Sequence, residues 1–236
     1  VHAVVPDTHL TQLPDIPEGS RTLFVGGGAR SPQALAALWR ATAAAVHTFE
    51  PDCVHLHSTF AGAIGRLGLA LGRSRPSVVY CAHGWAFDMT GSATKRYLTT
   101  WAERALAPAC EGIIAISEHD RRRAIEAGIA PSRIVTVLNG IADAPPPPPP
   151  KPSAIRRILF IGRLDQQKGF DILLKAIEPL AREVSLRVIG TAVVGNQTAI
   201  VRDRPGIEML GWCDEERVRR ELAWADYVVI PSRWEG

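Results

Sequence analysis

The stretch that decides the fold reads R-I-L-F-I-G-R-L-D-Q-Q-K-G-F and covers residues 157–170. Its first part, residues 158–161, is a short apolar run of β-branched and aromatic type, which is typical of a buried parallel strand. From Phe170 onward, apolar residues recur at the spacing of one helical face. The stretch therefore predicts a strand, a loop and a helix in succession.

The loop between them has a glycine at each end, Gly162 and Gly169, and carries Arg163 and Lys168. Glycines allow a ligand to approach the backbone, and a helix N-terminus favours negative charge. A guanidinium can grip phosphate oxygens with two N–H groups, and a lysine adds a point charge. The loop therefore predicts a diphosphate site. It is neither a Walker A loop nor a G-x-G-x-x-G fingerprint, and two solvated charges are the alternative interpretation.

The composition indicates a soluble globular protein with room for two domains. The chain has 236 residues, of which 46% are hydrophobic and 22% charged. A net charge of +3 is too mild to indicate nucleic-acid binding. The four cysteines form no C-x-x-C and predict free thiols in a reducing cytosol. No apolar run approaches the roughly 20 residues of a membrane span, and no secretory signal is visible. Because the chain begins at Val1 inside an apparent strand and ends directly after another, we expect a fragment of a longer protein.

Short apolar runs alternate with helical patterns along both halves of the chain, which predicts βαβ units and parallel sheets of Rossmann type. In the first half, strands are predicted at 2–5, 22–25, 53–57, 78–82, 112–117 and 134–138, and helices at 31–49, 60–71, 93–107 and 118–127. In the second half, strands are predicted at 157–161, 186–189, 207–210 and 227–230, and helices at 170–182 and 215–224, with Pro179 bending or shortening the first helix.

The run of six prolines at 145–150 separates the two halves and predicts a stiff interdomain spacer. The predicted domains are residues 1–143, a linker at 144–153, and residues 154–236. Four strands are fewer than the roughly six of a complete doubly wound domain, so the second domain is expected to be incomplete in this chain.

Polar residues follow the predicted strands at the ends where ligands bind in open α/β sheets. His57 ends a strand as part of an H-x-H pair, for which a metal site is the minor alternative. His83 follows the next strand, and Trp85 or Phe87 could pack on a sugar ring; the alternative is that His83 caps local backbone. The remaining candidates in these positions are Ser117, which also suits a helix N-cap, Asn139 in a turn, and Ser232 and Glu235 after the last strand.

Taken together, these segments resemble the retaining GT-B glycosyltransferases of family 4. The ordered set is C-A-H-G (81–84), I-A-I-S-E (114–118), V-L-N-G-I (137–141), I-G-R-L-D-Q-Q-K-G-F (161–170) and V-I-P-S-R-W-E-G (229–236). The resemblance implies two Rossmann-like domains facing a cleft, with the nucleotide-sugar held mainly by the second domain.

The resemblance also implies roles for particular residues. Arg163 and Lys168, beside Gly162, are expected to hold the donor diphosphate, and fixed cations there stabilise the charge that builds on the leaving group. Glu235 corresponds to the first residue of the family's glutamate pair and is expected to contact the donor sugar, and His83 corresponds to the cleft histidine. The resemblance implies that no divalent metal is needed, which agrees with the lack of a D-x-D signature in this sequence. Three departures stand out: the chain ends before the second glutamate, the usual first glycine-rich loop is absent, and residues 190–195 lack G-D-G-P.

The sequence therefore predicts a cytoplasmic glycosyltransferase that moves a sugar from a nucleotide-sugar, most simply a UDP-sugar, to a glycan or lipid-linked hydroxyl. The alternatives are a catalytically incompetent nucleotide-sugar-binding module or scaffold, and a nucleotide-sugar epimerase, against which the 162–169 loop argues. The basic residues Lys95, Arg96 and 121–123 predict either a solvated helix face or peripheral contact with anionic membrane lipid.

Overall fold

The chain forms two compact α/β units in a computed structural model. The structure describes residues 1–8, 16–25, 31–72, 76–89, 91–140, 143, 154–191 and 204–233. The units, called here the amino unit and the carboxyl unit, are Val1–Gly140 and Ile141–Glu235. The predicted polyproline linker lies outside the described residues, so the predicted domain boundary stays a prediction.

The amino unit contains two parallel sheets. In chain order its elements are β1 (Ala3–Pro6), β2 (Arg21–Phe24), α1 (Pro32–Phe49), β3 (Cys53–His57), α2 (Thr59–Leu71), β4 (Ser77–Cys81), α3 (Ala93–Leu106), β5 (Gly112–Ala115), α4 (Glu118–Glu126) and β6 (Ile134–Thr136). Strands β1 and β2 pair with each other, and β3, β4, β5 and β6 form the second sheet in that order. The carboxyl ends of β3 to β6 therefore lie along one edge in chain order.

Helix termini in the amino unit follow the capping residues of the sequence. Ser31 accepts a hydrogen bond from Ala34 N at 3.2 Å, and Pro32 opens α1. Helix α2 lies very close to its neighbours, because a Cβ on Gly62 would collide with the ring of Tyr80 and one on Gly65 with Leu56. The glycines of α2 thus let the helix pack tightly on β3 and β4.

A buried ion pair crosses the interior of the amino unit. Arg66 of α2 donates to Glu103 of α3 at 2.6 Å, and both side chains are almost fully buried. The hydroxyl of Tyr80 donates to the other carboxylate oxygen at 3.0 Å, and the guanidinium of Arg66 lies 4.0 Å from the Tyr80 ring centroid. Burial, followed by the Glu103 charge, raises the pKa of Tyr80. Polar side chains therefore join α2, α3 and β4.

The described elements of the carboxyl unit are β7 (Arg156–Ile161), α5 (Phe170–Ile177), β8 (Val184–Ile189), β9 (Ile207–Gly211), α6 (Glu215–Trp224) and β10 (Tyr227–Val228). These four strands form a parallel sheet in the order β10-β7-β8-β9. The largest core cluster of the unit is apolar and joins β7, β8 and α5, with Phe160 and Phe170 in contact at 5.1 Å between ring centroids. Helix α5 ends at Ile177 because Pro179 lies in a following 3₁₀ turn, which confirms that Pro179 shortens this helix.

The predicted α/β class with parallel sheets is confirmed, and most elements agree with prediction to within two residues. The four cysteines are free thiols, although Cys53 is exposed rather than buried. The predicted stacking of Trp85 or Phe87 on a sugar is wrong. Both rings are buried and stack on each other at 5.2 Å, and Trp85 Nε1 donates to the Asp120 carbonyl at 2.9 Å. These rings belong to the core of the amino unit.

Candidate functional site

The 162–169 loop lies between β7 and α5, as predicted. Within it, Asp165 accepts a hydrogen bond from Lys168 N at 2.9 Å and pairs with Arg163 Nε at 3.0 Å. Arg163 also donates through Nη2 to Gln167 Oε1 at 2.7 Å. Asp165 and Gln167, two residues to which the sequence analysis assigned no role, thus hold the Arg163 side chain, and Asp165 also binds the backbone of Lys168.

Arg163 keeps the capacity to bind an anion in this arrangement. A guanidinium carries five N–H donors, and these contacts use Nε and one hydrogen of Nη2. The Arg163 side chain is 51% exposed, so part of its planar fork is open to a ligand. The stem of Lys168 lies beside Gly162, since a Cβ there would be 3.5 Å from Lys168 Cγ. Gly162, Arg163 and Lys168 therefore belong to one local surface.

The end of β8 closes one side of this loop through the backbone. Gly162 N donates to the Ile189 carbonyl at 2.9 Å, and Leu164 N donates to the Thr191 carbonyl at 3.2 Å. Gly190 has a φ of +141°, and a Cβ on it would collide with the Gly162 carbonyl. Only a glycine fits at this close approach. The segment at 190–195 that lacks the family's G-D-G-P turn is described only at residues 190 and 191, and its remainder lies outside the described residues.

The segment after β10 closes the other side. Gly169 has a φ of +66°, and a Cβ on it would collide with the carbonyl of Pro231. Arg233 N donates to the Gln167 carbonyl at 2.8 Å, and its guanidinium makes two 2.8 Å bonds to the two oxygens of Asp171. These bonds hold Ser232 beside the 162–169 loop. Glu235, with the rest of 234–236, lies outside the described residues.

Besides Asp165 and Gln167, three further contributors to this site went unrecognised in the sequence: Gly190, Asp171 and Arg233. Gly190 carried a signal, because it directly follows a predicted strand, as Gly162 does. Asp171 and Arg233 are 62 residues apart, so no local pattern connects them. The Arg233 guanidinium lowers the pKa of Asp171, mainly by hydrogen bonding.

The second group of candidates lies at the carboxyl ends of β3 to β6 in the amino unit. The structure brings two of them together: His57 Nδ1 and His83 Nε2 share a hydrogen bond of 2.7 Å. His83 has a φ of +53°, which is uncommon for a residue with a side chain and is followed by Gly84 at +102°. A third imidazole, His55, lies 4.0 Å from the His57 ring centroid.

The surroundings of His55 and His57 disfavour their charged forms. Burial, and then the charge of the neighbouring histidines, lowers the pKa of His57, and the same two causes lower the pKa of His55. One ring donates the hydrogen bond between His57 and His83 and the other accepts it, so the two rings need complementary protonation at Nδ1 of His57 and Nε2 of His83. Among the described residues, no group of three His, Cys, Asp or Glu side chains is arranged to hold a metal ion.

Ser117 and Asn139 follow β5 and β6 on the same edge of the sheet. Ser117 Oγ accepts a hydrogen bond from Asp120 N at 3.1 Å and caps α4, which is the structural role that its sequence position also suggested. Asn139 is exposed and lies three residues beyond β6. The carboxylate of Asp120 is buried, and burial raises its pKa. Neither Ser117 nor Asn139 makes a described contact with the histidine pair.

A cavity of about 220 Å³ in the carboxyl unit lies away from the candidate loop. Its lining includes Val184 and Ile207, the first residues of β8 and β9, whereas the 162–169 loop lies at the opposite ends of the strands. Parallel sheets bind ligands beyond their carboxyl ends, so we assign the site to the loop and not to this cavity.

Two comparisons with known proteins bear on this arrangement. The parallel α/β units with polar loops at the strand ends are those of the GT-B class of glycosyltransferases. The family profile described as Glycosyltransferase Family 4 matches residues 8–145, and the profile described as Glycosyl transferases group 1 matches residues 155–236. The chain belongs to glycosyltransferase family 4.

Among its relatives is an uncharacterised 41.2 kDa protein of the cps region of Klebsiella pneumoniae, 28% identical over all of this chain and 68% of the relative. The UDP-Gal:α-D-GlcNAc-diphosphoundecaprenol α-1,3-galactosyltransferase of Escherichia coli is 25% identical over 78% of this chain and 53% of the enzyme. Among solved structures, Anabaena Alr3699/HepE in complex with UDP and glucose superposes with a TM-score of 0.69 at 19% identity, over 98% of this chain and 66% of that one. The chain thus spans between about half and two thirds of the length of these relatives.

Proposed function

We propose that this chain carries the donor site and part of the acceptor side of a retaining glycosyltransferase. In this proposal a sugar moves from a nucleotide-sugar to a hydroxyl of a glycan or glycolipid. The observation that carries it is the 162–169 loop, in which Gly162, Arg163 and Lys168 share one surface, enclosed by close backbone contacts from Gly190 and Pro231. A loop so constrained can present cations to a diphosphate at little cost in ordering.

A UDP-sugar is the proposed donor. The galactosyltransferase relative is named for a UDP-Gal donor and a diphosphoundecaprenol acceptor, and the HepE structure contains UDP and glucose. These names support a uridine nucleotide and a lipid-linked acceptor for this chain as well. Starch and glycogen synthases match a shorter part of the chain, and one related starch synthase structure contains ADP, so ADP is the competing nucleotide to test.

The proposed chemistry needs cations at the leaving group and no metal. As the bond between the sugar and the diphosphate breaks, negative charge grows on the phosphate, and Arg163 and Lys168 stabilise it more in the transition state than in the ground state. Glu235 contacts the donor sugar, and His83 acts near the sugar and acceptor. For retention we propose a front-face route in which the leaving phosphate accepts the acceptor's proton, and we assign no enzymic nucleophile.

Calorimetric titration with UDP, GDP and ADP, in the absence of divalent metal, tests the donor site. We expect UDP to bind this chain and binding to be lost in Arg163→Ala/Lys168→Ala. The matched control is Lys175→Ala/Arg182→Ala, which removes one lysine and one arginine from exposed positions on the same unit. Equal loss in both double variants would reduce the effect to net charge, and UDP binding that survives in Arg163→Ala/Lys168→Ala would refute the diphosphate site.

A nucleotide-sugar-binding module without turnover is the second candidate, because the 162–169 loop would account for nucleotide binding by itself. The two functions differ in one measurement. Release of UDP from UDP-galactose or UDP-glucose, measured on this chain and on a chain extended past Gly236, would support the transferase. Tight UDP binding without release in either chain would favour the binding module.

On the acceptor side we propose peripheral contact with the cytoplasmic face of an anionic membrane, where a lipid-linked acceptor would be found. In the part of the chain that the structure describes, no helix has the length and apolar character to cross a bilayer.

A further inference from the structure

Helix α3 of the amino unit has an outward face of large apolar side chains. Tyr97, Leu98 and Trp101 are 70%, 57% and 62% exposed. Their spacing of one and four positions places them on one side of the helix, and Glu103, which is buried, lies on the other. An amphipathic helix normally turns its apolar side to the core. In α3 the most exposed side chains include the largest apolar ones.

The inner side of α3 is accounted for without these residues. Glu103 bonds to Arg66 and Tyr80, and this polar network attaches the helix to the rest of the unit. Ser92 caps the helix by accepting a hydrogen bond from Lys95 N at 3.2 Å. Neither helix formation nor packing in the unit therefore requires Tyr97, Leu98 or Trp101.

The exposed charges of α3 are all positive. They are Lys95, Arg96 and Arg104, whereas the sole acidic residue of the helix, Glu103, is buried and paired. Arg123 of the neighbouring basic run is different, because it pairs with Asp88 and Glu126. Among the described residues, none of the three exposed cations of α3 makes an ion pair, whereas one of the three arginines at 121–123 does.

We propose that the exposed surface of α3, called here the α3 face and defined by Tyr97, Leu98 and Trp101 with Lys95 and Arg96 beside them near the start of the helix, docks on the surface of an anionic lipid bilayer. Tyrosine and tryptophan favour the headgroup region, where one end of the ring is apolar and the other is wet. Leu98 enters the acyl boundary, and the cations contact lipid phosphates. A protein partner is less consistent with this composition, because lysine is depleted in the cores of protein interfaces.

The proposal names the surface for the membrane contact suggested above and does not depend on the donor site. It can therefore fail while the transferase assignment stands, and the reverse also holds.

Cosedimentation with vesicles tests it, using phosphatidylcholine alone and an equal mixture of phosphatidylcholine and phosphatidylglycerol. We expect binding to the mixed vesicles only, weakened by added salt because the charges are exposed. Tyr97→Ala/Leu98→Ala/Trp101→Ala should weaken binding at least tenfold, and Lys95→Ala/Arg96→Ala should do the same, since each cation contributes about fivefold near such a surface. Alanine preserves helix propensity, and Trp101→Ala alone serves if the triple variant folds poorly.

Two controls make the result specific to the α3 face. Trp212→Ala removes a tryptophan that is 72% exposed on the carboxyl unit, and Arg121→Ala/Arg122→Ala removes two nearby arginines. Trp212→Ala should leave binding unchanged, and Arg121→Ala/Arg122→Ala should weaken it less than Lys95→Ala/Arg96→Ala does. The absence of binding to mixed vesicles, or equal effects of test and control variants, would overturn the proposal.

Self-association in sedimentation velocity that the triple variant abolishes, without vesicle binding, would assign the face to a second copy of the chain instead. UDP titration of the same variants keeps the two proposals apart, because an intact donor site should bind UDP in all of them.

Discussion

The two units build loops at the ends of parallel strands by different means. In the carboxyl unit the loops touch through backbone, and glycines at 169 and 190 leave no room for a side chain between them. In the amino unit backbone bonds such as Ser58 N to the Cys81 carbonyl are joined by a side-chain bond between His57 and His83, and Ser58 and His83 adopt positive φ without being glycine. Both interiors bury a paired carboxylate: Glu103 bonds to Arg66, itself buried, in the amino unit, and Glu221 bonds to the partly exposed Arg187 in the carboxyl unit.

This difference indicates what each unit tolerates. Backbone contacts through glycine do not respond to pH, but any added side chain disrupts them. Side-chain hydrogen bonds depend on protonation and on the partner's identity. All seven histidines of the chain precede residue 141, so changes of pH near neutrality should act on the amino unit.

The largest expected effect comes from breaking the buried ion pair of the amino unit. Glu103→Gln leaves the Arg66 charge buried and uncompensated, which should lower the free energy of unfolding by about 3–5 kcal/mol. Arg66→Met/Glu103→Gln removes the stranded charge and should recover most of the loss. Chemical denaturation of the three proteins measures both values. If the double variant is as unstable as Glu103→Gln, the unpaired Arg66 charge is not the cause of the loss. The hydrogen bonds and packing of the pair would then stabilise the unit.

The next largest effect is expected in the carboxyl unit, where two glycine substitutions distinguish the free-energy cost of a steric collision from that of backbone strain. Gly190→Ala places a Cβ against the Gly162 carbonyl at a φ of +141°, and we expect a loss of about 3 kcal/mol. Gly211 has a φ of +71° with no atom within 4 Å of an added Cβ, so Gly211→Ala should cost only the backbone strain, about 1 kcal/mol. Thermal unfolding compares the two. Equal losses would show that the close approach of Gly190 to Gly162 contributes nothing beyond strain.

Gly190→Ala should also weaken UDP binding in calorimetry if the end of β8 positions the 162–169 loop. Gly211→Ala serves as the matched control, since it alters a glycine at the end of β9. The same loss of UDP affinity in both variants would mean that general destabilisation of the unit, and not the position of the 162–169 loop, weakens UDP binding.

How much of this could be predicted from sequence depends on the distance over which each feature is determined. Helix α6 was predicted at its observed bounds and α1 to within one residue, because capping residues, Pro32 and apolar spacing are local signals. The glycines of the 162–169 loop were likewise recognisable. The position of the Trp85 side chain could not be predicted, because a tryptophan shortly after a strand can either contact a ligand or pack in the core. Its hydrogen bond to the Asp120 carbonyl of α4 is a tertiary contact that places it in the core. The pairings of Arg66 with Glu103 and of Arg233 with Asp171 depend on tertiary packing, which no local pattern encodes.

The smallest effect concerns the histidines and bears directly on the comparison between the units. The pKa values of His55 and His57 are lowered from 6.5, so below that pH the unfolded chain binds more protons than the folded one. The stability that they contribute is therefore present above pH 6.5 and is lost as the pH falls through their folded pKa values. His57→Gln keeps a hydrogen-bonding group beside His83 and removes one titrating ring, so its stability should fall less steeply with acidification than that of the original chain.

The variant is compared with the original chain, which cancels the contribution of Asp120. The pKa of Asp120 is raised, so its contribution has the opposite sign and is lost as the pH rises above 3.8. Thermal unfolding across mildly acidic to neutral pH measures the slopes, with His47→Gln as the control, because His47 is exposed in the last turn of α1. If both variants flatten the slope equally, or neither does, the histidine pair does not make the amino unit pH-sensitive. Its strand-end loops would then be held, like those of the carboxyl unit, mainly by backbone.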